Sequence, residues 1–135
     1  MITENLTMEI FKKLGRKIFS RKMINRYHLV MAMLANVVYG FPAKKMRIIG
    51  VTGTNGKTTT CHMIASILEA GGRKVGMSST TTFKIGSELI ENNIKMTTVS
   101  PFALQKLLKK MVEAGCEDAV IEVTSIALNQ HRLWG

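Results

Sequence analysis

Residues 53–59 read Gly53-Thr54-Asn55-Gly56-Lys57-Thr58-Thr59, with two glycines leading into a lysine and a pair of hydroxyls. That composition suits phosphate binding. Glycines let the backbone wrap closely around phosphate oxygens and turn successive N–H groups inward, and a helix starting immediately afterwards adds its positive end. Lys57 would bring a mobile charge to the β- and γ-phosphates, and the Thr58 hydroxyl is placed to ligate the Mg2+ that accompanies them. The ligand these residues anticipate is a nucleoside triphosphate, with ATP as the first expectation. The widespread pattern GxxxxGK[ST] is not fully met, because Val51 stands where its first glycine belongs. The chain instead carries the shorter form GTNGKT, preceded by Gly50-Val51-Thr52.

A phosphate loop needs a strand before it and a helix after it, and both are legible. Residues 46–51 (MRIIGV) form a short β-branched run that reads as a buried strand. Residues 58–70 read as a helix, with Met63, Ile64, Ile67 and Leu68 at helical spacing and Gly71-Gly72 as its end. A further strand over 74–77 completes the β–loop–α–β crossover of a parallel sheet. Residues 80–85 and 89–96 alternate about Gly86-Ser87 and predict a hairpin. Ser100 is a candidate N-cap with Pro101 at the first helical position. The helix that follows turns Leu104, Leu107, Leu108 and Met111 inward and stops at Gly115. Residues 118–123 (DAVIEV) form a third core strand ending in the polar pair Thr124-Ser125. The expected fold is α/β, a parallel sheet that carries the phosphate loop and is flanked by helices.

Ahead of this unit the pattern changes. Leu6, Ile10, Leu14 and Ile18 recur at four-residue steps beside Phe11 and Phe19, with Lys and Arg on the other face, so residues 6–24 predict an amphipathic helix. A second helix is expected over 25–39, closed by Gly40 and Pro42. The organisation is thus a basic helical pair over 1–45 and an α/β unit over 46–135. Of the net charge of +10, most belongs to residues 1–47, where ten Lys or Arg face only Glu4 and Glu9. Such a segment either attracts an anionic membrane or nucleic acid, or is a solvated helix face; nucleic acid is not the expected partner. The apolar run 29–41 includes Asn36 and falls short of the ~20 residues a spanning helix needs, and no signal-cleavage pattern follows it. It is either docked on the core or lying on a membrane. Cys61 and Cys116 form no CxxC pair and read as buried thiols in a reducing compartment. The expected location is cytoplasmic, with peripheral contact at the inner membrane face left open.

Residues 50–60 (GVTGTNGKTTT) resemble the ATP-binding loop of the Mur ligases and of their relatives, the folylpolyglutamate and cyanophycin synthetases. Residues 122–132 (EVTSIALNQHR) are similar to the EVSSHALxQxR segment of the Mur ligase branch that adds the third amino acid to UDP-N-acetylmuramoyl-L-alanyl-D-glutamate. The pair Thr97-Thr98, just before a proline-started helix, resembles that branch's TTP segment. The resemblance covers residues 46–135. It implies ATP-dependent amide-bond formation in peptidoglycan precursor synthesis. A carboxylate of a UDP-MurNAc-peptide would take the γ-phosphoryl group of ATP, and the amine of an amino acid would attack the acyl phosphate. Such a step needs charge neutralisation more than covalent catalysis. By the same resemblance Gly53, Thr54, Asn55, Gly56, Lys57, Thr58 and Thr59 hold ATP, Lys57 and Glu122 are catalytic, and Thr58 and Glu122 hold Mg2+. Thr97, Thr98, Thr124, Gln130 and Arg132 fall where the family contacts its UDP-sugar-peptide, and the Arg132 fork suits an anionic group. Plainer readings stand beside these: Glu122 as a solvated strand-end acid, and Thr97, Thr98, Thr124 and Gln130 as turn and cap groups.

The chain departs from the family pattern at several places. Ile126 occupies the usual His position, which removes a metal-associated imidazole, and His131 does not replace it by position. Thr124 replaces a Ser and keeps the hydroxyl, while Met96 stands where the family often has Asn. The family also has a uridine-gripping domain, a modified lysine and an amino-acid-binding domain, so the expectation is a truncated member that does not complete the reaction alone. A folylpolyglutamate-type ligase and an ATP-binding module without ligase activity are the alternatives.

Overall fold

The computed structural model describes residues 21–92 and 100–134. Helix α1 (Arg21–Tyr39) enters first, and its end is fixed locally. Gly40 and Phe41 both take left-handed conformations, with φ of 72° and 53°. Phe41 N donates to Asn36 O at 2.9 Å and Gly40 N to Val37 O at 3.3 Å, closing the last turn and satisfying two of its carbonyls. Pro42 then opens a single 3-10 turn, Pro42–Lys45. The helix boundary expected near residue 25 is absent, and α1 runs through Ile24 and Asn25. Asn25 lies within the helix, and its amide donates to Asn129 O at 3.0 Å. The remainder of the helix expected over 6–24 lies outside the described residues.

Strand β1 (Arg47–Val51), helix α2 (Lys57–Ala70), strand β2 (Val75–Ser78), the hairpin β3 (Thr82–Ile85) and β4 (Glu88–Glu91), helix α3 (Pro101–Glu113), strand β5 (Asp118–Glu122) and the short helix α4 (Ser125–Asn129) follow. The sheet order is β1-β5-β2-β3-β4. Strand β5 pairs in parallel with both β1 and β2, as two crossover connections dictate, and β3 and β4 extend the sheet in antiparallel fashion from β2. The parallel core and the hairpin are those the sequence anticipates. Thr80, expected within the hairpin strand, instead lies in the turn before β3, and residues 93–96 lie outside the described residues. Helix α4 had no counterpart in the sequence reading.

The two faces of the sheet carry separate cores. On one side Leu104, Leu108 and Met111 of α3 pack with Ala119 and Ile121 of β5 and with Cys116 and Val123. On the other, Cys61 and Ala65 of α2 pack with Val51, Val75, Met77 and Val120. The buried side of α2 is therefore Cys61, Ile64, Ala65 and Leu68, whereas Met63 and Ile67, expected to share the apolar stripe, are exposed. Small residues at 61 and 65 let the helix lie close to the sheet, which turns its larger side chains outward. Helix α3 starts as anticipated: Ser100 Oγ accepts from Ala103 N at 3.4 Å, with Pro101 in the first turn. Its close approach to β2 depends on Gly76, where an added Cβ would run into Met111 Sδ. Helix α1 packs against α3, and its Ala32, Ala35 and Asn36 are fully buried. Among the described residues no helix is long and apolar enough to cross a membrane.

Candidate functional site

The alternation of β5 decides what reaches the phosphate loop. Ala119 and Ile121 point toward α3, so Asp118, Val120 and Glu122 share the α2 side. Glu122 closes the strand beside Val51 of β1, at the carboxyl ends of the parallel strands, where open α/β sheets bind their ligands. Its side chain is buried, at 2% exposure, and among the described residues it accepts hydrogen bonds from Thr58 and Thr80. Thr58 Oγ1 donates to Oε2 at 2.8 Å, Thr80 N to Oε2 at 3.0 Å, and Thr80 Oγ1 to Oε1 at 3.0 Å. A buried carboxylate is sustained by such donors and costs heavily without them. Glu122 is not a solvated strand-end acid.

Thr58 reaches this carboxylate because it lies in the first turn of α2, immediately after the loop. Gly56 caps that helix at φ 76°, and Gly53 adopts φ 153°, both conformations that a side chain would strain. Thr54, Asn55 and Thr59 are exposed around the loop, and Thr60 Oγ1 donates back to Gly56 O at 2.9 Å. Lys57 Nζ donates to Gly53 O at 3.0 Å and Thr54 O at 3.4 Å, which holds the ammonium against the loop itself. The N–H groups of a helix's first turn lack intrahelical partners and carry partial positive charge, so the loop, Lys57 and α2 present one electropositive surface.

These residues fit a triphosphate with its Mg2+. Mg2+ keeps several waters and phosphate oxygens and draws only one or two carboxylates from a protein, which matches a hydroxyl paired with one buried carboxylate. Among the described residues no cluster of three or more His, Cys, Asp or Glu could form an all-protein metal cage. The neighbouring Cys61 thiol is pushed up to about 11 by burial first and by the Glu122 charge second, so it stays protonated at neutral pH.

Thr80 is the residue the sequence reading missed. It follows the buried Ser78 and Ser79 at the carboxyl end of β2. Its turn is pinned by Ser79 N donating to Thr82 O at 2.9 Å, by Thr82 N donating to Ser79 Oγ at 3.1 Å, and by Asn92 Nδ2 donating to Ser79 O at 2.9 Å. A run of five hydroxyl residues, 78–82, at the end of a parallel strand was the available signal.

Of the expected substrate residues, Thr124, Gln130 and Arg132 fall within the described residues. Thr97 and Thr98 lie outside the described residues. Thr124 Oγ1 accepts from Ala127 N at 3.2 Å and is the N-cap of α4. Gln130 lines, with Ile24, Asn25, Ile126 and Asn129, a cleft of about 320 Å³ between α1 and α4. Ile126, the departure from the family's His, is largely exposed there. Arg132 lies close enough to His28 of α1 that burial first and Arg132 second hold the imidazole below its ordinary value. Gln130 Oε1 and Arg132 Nε have no hydrogen-bond partner among the described residues.

A mixed sheet with a parallel core, a glycine–lysine–threonine loop after β1 and a hydrogen-bonded acid on the adjacent strand defines an α/β protein of the phosphate-loop class. Residues 51–135 match the model of the Mur ligase middle domain, and the chain belongs to the Mur ligase family. It is 48% identical over 101 residues to the UDP-N-acetylmuramyl-tripeptide synthetase of Roseiflexus sp. (strain RS-1), covering 75% of this chain and 20% of that protein. It is 46% identical over 105 residues to the UDP-N-acetylmuramoyl-L-alanyl-D-glutamate--2,6-diaminopimelate ligase of Bacillus cereus, covering 78% of this chain and 21% of that one. A solved structure of a ligase of the latter name superposes with a TM-score of 0.65 at 29% identity, over 77% of this chain and 22% of its own. The chain spans about a fifth of the length of the curated relatives it matches.

Proposed function

We propose that this chain provides the ATP–Mg2+ site of a ligase that extends a UDP-MurNAc-peptide by one amino acid during peptidoglycan precursor synthesis. The observation that carries the reading is the meeting of Thr58 and Thr80 on the Glu122 carboxylate beside the Lys57 loop. The names of the relatives support the substrate class, since they describe UDP-N-acetylmuramyl ligases and not folate enzymes.

In this reading residues 53–59 bind the triphosphate, and Lys57 swings from its carbonyl partners to the β- and γ-phosphates. Thr58 and Glu122 hold Mg2+, while Thr80 keeps the carboxylate aimed at the loop. ATP supplies the phosphoryl group that activates the acceptor carboxylate as an acyl phosphate, ready for attack by an amine. The protein's share is charge neutralisation and alignment, the two things phosphoryl transfer demands. Gln130 and Arg132, each with a polar atom that has no partner among the described residues, are proposed to meet the anionic substrate, together with Thr97 and Thr98; Thr124 serves as the cap that sets α4.

The test is phosphate release from ATP by the protein in its full-length form with UDP-MurNAc-L-Ala-D-Glu and a panel of amino acids, with the nucleotide product followed by mass spectrometry. Release that requires both substrates and yields a UDP-MurNAc-tripeptide supports the proposal; turnover with folate and glutamate instead would transfer it to the folylpolyglutamate branch. One observation favours a second reading, an ATP-binding module without ligase activity: the exposed Ile126 stands where the family's His is usual. ATP binding with no substrate-dependent turnover, and no recovery in Ile126→His, is the outcome that reading predicts.

A further inference from the structure

We propose that the outer face of α1 docks on an anionic phospholipid surface. Helix α1 is two-sided. Its inner side, Ala32, Ala35 and Asn36, is fully buried, and α1 packs on α3. Asn36 Nδ2 also donates to Trp134 O at 2.6 Å, tying the helix to the end of the chain. The opposite side is apolar and open: Met23, Tyr27, Val30, Leu34, Val37 and Val38 are each at least half exposed. Their spacing of three, four and seven residues places them on one stripe. A single exposed apolar residue needs no explanation, but a continuous stripe along a whole helix marks an interaction surface.

The charge identifies the occupant. Helix α1 holds no acidic residue, and the sequence has none from Ile10 to Leu68. Arg26 lies on the exposed side of α1, and the exposed Lys44 and Lys45 lie just beyond its other end, after the Gly40–Phe41 turn. Lys12, Lys13, Arg16, Lys17, Arg21 and Lys22 precede in the sequence. A second copy of α1 would bring like charges together, which opposes self-association. An anionic bilayer meets both features at once, burying the stripe at the headgroup boundary while lysines and arginines engage the phosphates. Because α1 is not long and apolar enough over the described residues to cross a membrane, the proposed contact is interfacial. The inference stands independently of the ligase reading.

The experiment is co-sedimentation of the 135-residue chain with large vesicles of phosphatidylcholine alone, or with about a third phosphatidylglycerol, at low and high salt. Partition about tenfold stronger onto the anionic vesicles at low salt, weakened by high salt, is the expected result. Val30→Ser combined with Val37→Ser should lower it about tenfold, and Lys44→Glu combined with Lys45→Glu should flatten the salt dependence. All four positions are exposed, and circular dichroism confirms that the variants fold. Absence of partition at low salt, or partition indifferent to the valine pair, overturns the proposal. So does a concentration-dependent doubling of mass in light scattering that the valine pair abolishes without any vesicle binding, since the stripe then serves a second copy.

Discussion

The Thr58 hydroxyl donates to the Glu122 carboxylate at 2.8 Å, across 64 residues of sequence. One comes from the first turn of a helix and the other from the end of the central strand, so the bond ties the phosphate loop to the sheet. Thr80 completes the arrangement with two donors from a third strand end. Replacing Thr80 with Val keeps the shape and the backbone donor but strips Oε1 of its hydroxyl partner. A loss of about 1–3 kcal/mol is expected, read from urea unfolding. A variant as stable as the parent would show that Thr80 does not support Glu122.

The packing of α3 on β2 leaves no room at Gly76. An added Cβ would fall 2.6 Å from Met111 Cγ and closer still to Sδ, so the completely buried Met111 side chain would have to shift to admit it. Gly76→Ala should therefore destabilise the protein by about 1–3 kcal/mol. The double variant Gly76→Ala with Met111→Ala should recover part of that loss relative to Met111→Ala alone. Thermal unfolding of the set checks both statements.

The loop was legible because its chemistry is local: glycines, lysine and hydroxyls within seven residues, between a β-branched run and a helical one. Glu122 was legible only through the resemblance, since nothing in DAVIEV says that the acid is buried rather than solvated. Gly76 was not legible, and Thr80 was signalled only by the hydroxyl run 78–82, which does not say what the hydroxyls face. Their roles depend on which strand lies beside β5 and which helix covers β2, and that information belongs to the sheet order. Local patterning was half right on α2, where Ile64 and Leu68 pack toward the sheet beside the small Cys61 and Ala65 while Met63 and Ile67 are exposed. Helix α4 escaped notice because five residues are too few to show a period, and only its cap, Thr124, gives it away.

Asp118 supplies a pH dependence. Burial pushes its carboxyl up, but the hydrogen bond from Arg73 and then that from Arg47 outweigh burial and hold it below the usual carboxylate range. A group depressed in the folded state contributes stability above its unfolded value, about 3.9, and loses it as pH falls through the folded value. Asp118→Asn should cost about 1–3 kcal/mol at pH 7, a gap that narrows as the solution is acidified toward pH 3. Urea midpoints of both proteins across that range are the measurement.

The two thiols should be silent in the native protein. Cys61 and Cys116 are both buried and free, and burial raises both, Cys61 to about 11. Thiolate is the reactive form, so both should resist alkylation at pH 8 and react promptly once denaturant exposes them. Counting modified thiols by mass spectrometry before and after unfolding decides it; fast labelling of Cys61 in the native state would contradict its burial beside Glu122.

The central claim is that the loop and Glu122 form one ATP–Mg2+ site, and the most direct measurement is calorimetric titration of ATP into the protein with and without Mg2+. The parent should bind, with Mg2+ tightening the affinity. Lys57→Ala should weaken binding by about tenfold to a hundredfold in either condition, by loss of charge-assisted hydrogen bonds. Glu122→Gln should bind ATP alone but lose the Mg2+ enhancement. ATP affinity unchanged by Lys57→Ala, or a Mg2+ enhancement that survives Glu122→Gln, would contradict the account.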